Sequence, residues 1–236
     1  MISATQPEGP RPQPVAPWGH TARLVALFLA LTAVGLFFQR QAVRSGAPAA
    51  HPDVVPLYLS LLAAEWGLFL YVWRGARRTG TTLKELIGGR WAGPKDLLVD
   101  LGLALGAWAA LKVLSAAWGR WLGPNPAASI HPLLPRRPLE ILLWIALSAS
   151  AGICEELAFR GYFQRQFAAL TRSPWLAVLL QALLFGIAHS YQGLRATWQI
   201  AVYGMLFGLL VLFRRSLRPG MIAHAWTDLL SGLFGI

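Results

Sequence analysis

The chain has 236 residues, of which 13% are charged, and a mean hydropathy of +0.49. A soluble domain carries about 25% charged residues, so the composition excludes an ordinary soluble fold and predicts an all-α polytopic membrane protein. The net charge of +11 does not imply nucleic acid, because arginine-rich loops facing the cytoplasm and anionic lipid account for it.

Other classes fall away as quickly. The apolar runs are continuous rather than alternating, which argues against a β-barrel. The single cysteine, Cys154, allows neither an internal disulfide nor a cysteine-built zinc cage. The bias toward Arg, Ala, Leu and Pro points to a GC-rich bacterial genome.

In chain order, residues 1–20 read as a disordered, Pro-rich tail, and 21–236 as one transmembrane helical domain. About seven helices are predicted, near 21–39, 54–73, 96–118, 138–169, 174–190, 196–213 and 219–235. Each carries an apolar run near the ~20 residues needed to cross a bilayer. The first resembles a short signal-peptide core, but no small-x-small cleavage site follows it directly, so an uncleaved helix is expected. The loop at 74–95 holds Arg74, Arg77, Arg78, Lys84, Arg90 and Lys95, and the turn at 214–218 holds Arg214, Arg215 and Arg218. The positive-inside rule then places these loops and the N-terminus in the cytoplasm, in a bacterial inner membrane.

Ionisable residues inside apolar spans cost about 2.5–3.5 kcal/mol each on the insertion scale, so they mark function. Three clusters stand out: Glu155-Glu156-x-x-x-Arg160-Gly161, Phe185-x-x-x-His189 and His224-x-x-x-Asp228. The fourth and fifth helices form a hairpin through Thr171-Arg172-Ser173-Pro174, where Ser and Pro are helix-start signals. Glu155 and His189 each lie about 17 positions from that turn, roughly 25 Å at 1.5 Å per residue, so they are expected at one level. His224 follows the 214–218 turn closely. A single polar site, open to the cytoplasmic side, is therefore expected. Glu156 and Arg160 face each other at i, i+4, as do His224 and Asp228. Glu155 points about 100° away from Glu156 and so toward the cavity.

A Glu beside His residues can act as general base on a water. The same donors, Glu155, His189, His224 and Asp228, could instead hold a zinc ion that activates the water. Both routes lead to hydrolysis. His224 and Asp228 could position the water, hold the metal or stabilise an oxyanion.

The three motifs, in this order and spacing, resemble the signatures of the CPBP family of CAAX-processing and bacteriocin-processing intramembrane proteases, also called the ABI family. The resemblance covers about 138–235. It implies a glutamate-dependent endopeptidase similar to type II CAAX prenyl proteases. By position, Glu155 would activate water with His189, His224 and Asp228 would bind the substrate carbonyl or complete the site, and Glu156 and Arg160 would support it. Family members often carry Asn where this chain has Asp228. An ionised Asp cannot donate to an oxyanion, but it suits a metal ligand or a partner that orients His224. The implied partner is a membrane-associated protein or peptide, in the CAAX case a lipidated one. Oligomeric state stays open.

Blander readings compete. The clusters could be a buried ion-pair network, or the chain a non-catalytic bacteriocin-immunity or scaffolding protein. A proton-relay transporter would need an inverted repeat, which the sequence does not show. Glu65, Asp100 and Lys112 read as packing or water-facing residues. His20, His51 and His131 read as surface loop residues, and Cys154 as an apolar filler. Gly204-x-x-x-Gly208 reads as a close helix contact, and Trp66, Trp73, Trp118, Trp121 and Trp175 as interfacial anchors.

Overall fold

A computed structural model describes residues 12–45, 53–123 and 131–235 of the chain. Among the described residues there is no strand. The helices are α1 (Trp18–Ser45), α2 (Val55–Arg77), a short α3 (Leu83–Ile87), α4 (Pro94–Leu122), α5 (Pro138–Glu156), α6 (Gln164–Thr171), α7 (Pro174–Ala188), α8 (Leu194–Arg214) and α9 (Arg218–Phe234). A π-helical segment, Leu157–Phe163, joins α5 to α6.

The helix ends follow local chemistry. Proline occupies the first turn of α2, α4, α5, α7 and α9, where its missing N–H costs nothing. Ser173 caps α7 by accepting from the Leu176 N–H at 3.3 Å. The hairpin tip turns through Arg172 at φ 57°, a left-handed residue that ends α6. Thr82 and Glu85 form a reciprocal capping box on α3. The Thr82 N–H and hydroxyl both donate to the Glu85 carboxylate, which holds that carboxyl below its ordinary value.

Five segments are long and apolar enough to cross a membrane: Trp18–Gln41, Val55–Arg77, Pro94–Leu122, Pro138–Thr171 and Leu194–Arg214. The predicted fifth and seventh spans exist as helices, but α7 has 15 residues and α9 has 17. The expected count of about seven spans therefore stands at five by length and composition, with two shorter helices packed among them. The helix α7 lies against α8 and α6, and α9 against α5 and α4.

The two ends of the bundle differ. At one, Arg214 Nε meets Asp100 Oδ1 at 2.7 Å, Arg165 Nη2 donates to the Glu85 carbonyl at 2.7 Å, and the Leu217 N–H donates to the Ile87 carbonyl at 2.8 Å. This is the arginine-rich end. At the other, the Tyr58 hydroxyl donates to the Leu133 carbonyl and Arg195 to the Leu122 carbonyl. Two of the most exposed tryptophans, Trp175 at 69% and Trp121 at 87%, mark opposite ends, as interfacial anchors do.

Residues 1–11 of the expected tail lie outside the described residues, but 12–20 are part of the fold. Val15 and Ala16 are buried, and the Val15 N–H donates to Gln166 Oε1 at 2.7 Å. His20, expected at the surface, is buried too. Its Nδ1 lies 2.8 Å from the Tyr162 hydroxyl, and its ring stacks on Tyr71 with centroids 3.9 Å apart. The absence of a side chain on Gly75 makes room for that imidazole, into which a Cβ would run. His51 and the His131 side chain lie outside the described residues.

Candidate active site

The site begins where α5 changes winding. The continuous helix expected over 138–169 is interrupted immediately after the glutamate pair by the π-helical segment, all seven residues of which are buried. Such wide turns recur at functional sites because they re-aim side chains without breaking the helix. No spacing in the sequence betrays it. Across the junction, Arg160 Nη1 donates to Glu156 Oε1 at 2.9 Å, with both side chains fully buried.

Three glycines bring the flanking helices close. A Cβ on Gly152 would lie 2.6 Å from the Met221 carbonyl oxygen, so α5 and α9 touch backbone to backbone there. A Cβ on Gly220 would lie 3.0 Å from Glu156 Oε2, and one on Gly186 2.5 Å from the Thr197 carbonyl of α8. The α5–α9 approach carries His224 to Glu156, with Nδ1 3.1 Å from Oε1. Gly204 and Gly208, singled out in the sequence, lie on the α7–α8 seam against Ala182 and Gln181.

Glu155 faces the other way, as helical geometry requires. Its Oε2 is 4.0 Å from His189 Nε2 and 3.8 Å from His224 Nε2, and His224 Nε2 is 3.5 Å from Asp228 Oδ2. All four named candidates thus converge. The place of one ring proton in each histidine follows from its partner. His189 Nδ1 lies 2.9 Å from the Phe185 carbonyl, which can only accept, so Nδ1 carries the proton. His224 Nδ1 likewise donates to the Glu156 carboxylate. In both rings Nε2 is left facing Glu155.

These side chains line a cavity of about 360 Å³ between α2, α5, α7, α8 and α9. Its walls are mostly apolar and run from Glu155 past Trp144 and Leu61 to Leu133 and Tyr191. That direction leads away from the arginine-rich end. The opening expected toward the arginine-rich side is closed beneath the site, where the Arg160 guanidinium packs on Phe185 at 4.4 Å and Phe207 at 5.2 Å.

Two residues join the site that the sequence reading did not place there. Glu65 of α2 lines the cavity and meets Glu155 carboxyl to carboxyl. A carboxylate inside an apolar span is itself a signal, but a lone acid outside the motifs does not say which helix it will meet. Phe207 stacks on His224, with centroids 5.7 Å apart and planes 14° from parallel. Its place in an apolar run is equally silent. Lys112 stays outside the cavity wall and donates to Ser231 at 3.3 Å, and Asp100 is held by Arg214 and Trp91. Cys154 is fully buried beside the acid pair.

The donor set is too widely spaced for zinc. Tetrahedral zinc holds N and O ligands at about 2.0–2.1 Å, which sets neighbouring donors about 3.3 Å apart. The Glu155–His189 and Glu155–His224 separations exceed this, and among the described residues no group of three or more His, Cys, Asp or Glu is arranged to hold a metal ion. As placed, the donors do not close round an ion.

No curated protein and no solved structure matches the chain. Residues 137–230, which hold all three motifs, match the model of the family described as Type II CAAX prenyl endopeptidase Rce1-like, the family that the motifs resemble.

Proposed function

We propose that this integral membrane protein is an endopeptidase that hydrolyses a peptide bond within the bilayer, with Glu155 as general base. The observation that carries this reading is the meeting of Glu155 Oε2 with two imidazole Nε2 atoms in one apolar cavity. A water hydrogen-bonded to Glu155 and His189 fits between atoms 4.0 Å apart. Glu155 takes its proton as the oxygen attacks the scissile carbonyl carbon. As an imidazolium held between Glu156 and Asp228, His224 keeps a proton on Nε2 as well and donates it in a hydrogen bond to the developing oxyanion. The tetrahedral intermediate collapses as Glu155 returns the proton to the leaving amine. Glu65, against Glu155, orients the base.

The substrate class proposed is a membrane-associated protein or peptide, with lipidated C-terminal CAAX sequences the first candidates. The apolar walls leading to the site suit a segment that arrives from the bilayer. The arginine-rich end is assigned to the cytoplasm by the positive-inside rule.

The test is cleavage by the purified protein in lipid nanodiscs. Farnesylated C-terminal Cys-a-a-X peptides and unprenylated controls are offered to the wild type and to Glu155→Gln. Cleavage by the wild type that the variant lacks is expected. Equal cleavage by Glu155→Gln overturns the assigned base. Cleavage of unprenylated peptides alone overturns the prenyl substrate and keeps the protease.

A further inference from the structure

A second cavity, of about 420 Å³, lies at the arginine-rich end between α6, α7 and α8. It is separate from the site above and shares none of that cavity's lining residues. Its inner wall is formed by Arg160 and Gln164, and its rim by Arg165, Arg215 and Ser216. No acidic side chain lines it.

Arg160 and Gln164 are 0% and 4% exposed. Among the described residues, Arg160 Nη1 is taken by Glu156, but its Nε and Nη2 donors have no partner, and neither has Gln164 Oε1. Unpaired buried donors on a charged group are costly, and each calls for an acceptor. Arg165 spends one nitrogen on the Glu85 and Leu86 carbonyls. Arg215 is exposed at the end of α8 and adds a cation at the mouth. Three guanidinium groups around one hollow make a site for a phosphate, which arginine binds through several parallel N–H donors.

The rest of the wall says where that phosphate comes from. Ala177 of α7 and Val211 and Leu212 of α8 continue the groove as an apolar surface. A free phosphate gains nothing from such a surface, whereas the glycerol and first methylenes of a lipid do. The groove also lies at the end of the bundle where headgroups meet basic loops.

We propose that this groove binds one anionic phospholipid, its phosphate held by Arg160, Arg165 and Arg215 and its chains along α7 and α8. Since Arg160 also holds Glu156, which holds His224, only those two residues, Arg160 and Glu156, stand between the bound lipid and the His224 that lines the cavity described above. The site does not rest on the proteolytic reading.

Native mass spectrometry of the detergent-solubilised full chain, titrated with phosphatidylglycerol, phosphatidylcholine or inorganic phosphate, tests this. The variants are Arg215→Asn, which suits the left-handed backbone at φ 56°, and Arg78→Gln, an exposed arginine at the same end outside the groove. One phosphatidylglycerol is expected to be retained in preference to phosphatidylcholine. Its affinity should fall about fivefold in Arg215→Asn, as one arginine near a headgroup is worth, and stay unchanged in Arg78→Gln. Equal weakening by both variants would reveal diffuse charge attraction and overturn the site. Equal retention of the two lipids would also overturn it. Displacement of the lipid by millimolar inorganic phosphate would overturn the lipid reading in favour of a free anion.

Discussion

His224 Nδ1 lies 3.1 Å from Glu156 Oε1, so the acid that does not face the cavity is the one that sets the histidine which does. The same oxygen accepts from Arg160 at 2.9 Å. Glu156 therefore compensates a fully buried guanidinium and orients the His224 ring at once. The two adjacent glutamates are predicted to fail differently. Glu156→Gln leaves Arg160 buried without a counter-charge and should cost about 3–5 kcal/mol, seen as a large loss of thermal stability in detergent. Glu155→Gln should fold with nearly unchanged stability and lose cleavage by about 10²–10⁴-fold. A stable Glu156→Gln protein would break the distinction.

Glu155 and His189 act on one water in the proposed mechanism, so their contributions should not add. His189→Ala alone should lower cleavage by about 10²–10⁴-fold. The double variant with Glu155→Ala should be no slower than the worse of the two singles, because the second substitution removes a partner that already has nothing to do. Steady-state rates on the four proteins of the cycle decide this. Additive losses would place the two residues on separate steps.

Much of this site was legible because it is written in local spacing. The i, i+4 pairs and the symmetric distance of Glu155 and His189 from the 171–174 turn depend only on helical rise and twist, and the convergence follows from them. The π-helical segment was not legible, since its seven residues pattern as ordinary helix and only tertiary packing selects the wider turn. Glu65 and Phe207 come from outside the motifs, and nothing within reach of their own sequence neighbours says which helix they will face. The direction of the cavity is not legible in the sequence for a related reason. Counting residues from the hairpin gives depth along one helix, but which end is plugged depends on Arg160, Phe185 and Phe207 meeting across three elements. His20 reads as a loop residue because its burial depends on a missing side chain at Gly75.

The helix approach that delivers His224 rests on Gly152. A Cβ there would stand 2.6 Å from the Met221 carbonyl oxygen and 2.9 Å from the Ala225 Cβ. Neither is the movable end of a flexible side chain. Gly152→Val is predicted to push α9 off α5, at a cost of about 1–3 kcal/mol or more, and to abolish cleavage even where protein accumulates. Gly102→Ala is the control, as nothing lies within 4 Å of its added Cβ. It should raise helix stability slightly if it does anything.

The glutamate–water mechanism carries a prediction about metals. Protein stripped with a stringent chelator and passed into metal-free buffer should keep its cleavage rate within about twofold, because no step draws on an ion and the 3.8–4.0 Å separations around Glu155 suit a bridging water. Metal content by elemental analysis runs beside the assay. Loss on chelation with recovery on zinc would mean that Glu155, His189 and His224 draw together round an ion in the working enzyme, and would make Glu155 a ligand rather than a free base.

The bundle's orientation can be read from accessibility. The positive-inside rule predicts that the arginine-rich end faces the cytoplasm. The cavity walls run from Glu155 to Tyr191 at the opposite end. In a Cys154→Ser background, Arg90→Cys should react with a membrane-impermeant maleimide only after cells are opened, because Arg90 is exposed in the arginine-rich loop. Tyr191→Cys, 47% exposed on the cavity rim, should react in intact spheroplasts. The opposite pattern would put the cavity mouth in the cytoplasm, where a soluble tail of a lipid-anchored substrate could enter directly, and would mean that the charge asymmetry of the loops does not set the topology. Labelling of Arg90→Cys after opening, with Tyr191→Cys unreactive in both conditions, would leave the arginine-rich end inside and place Tyr191 within the bilayer, so that substrate reaches Glu155 from the lipid rather than from water.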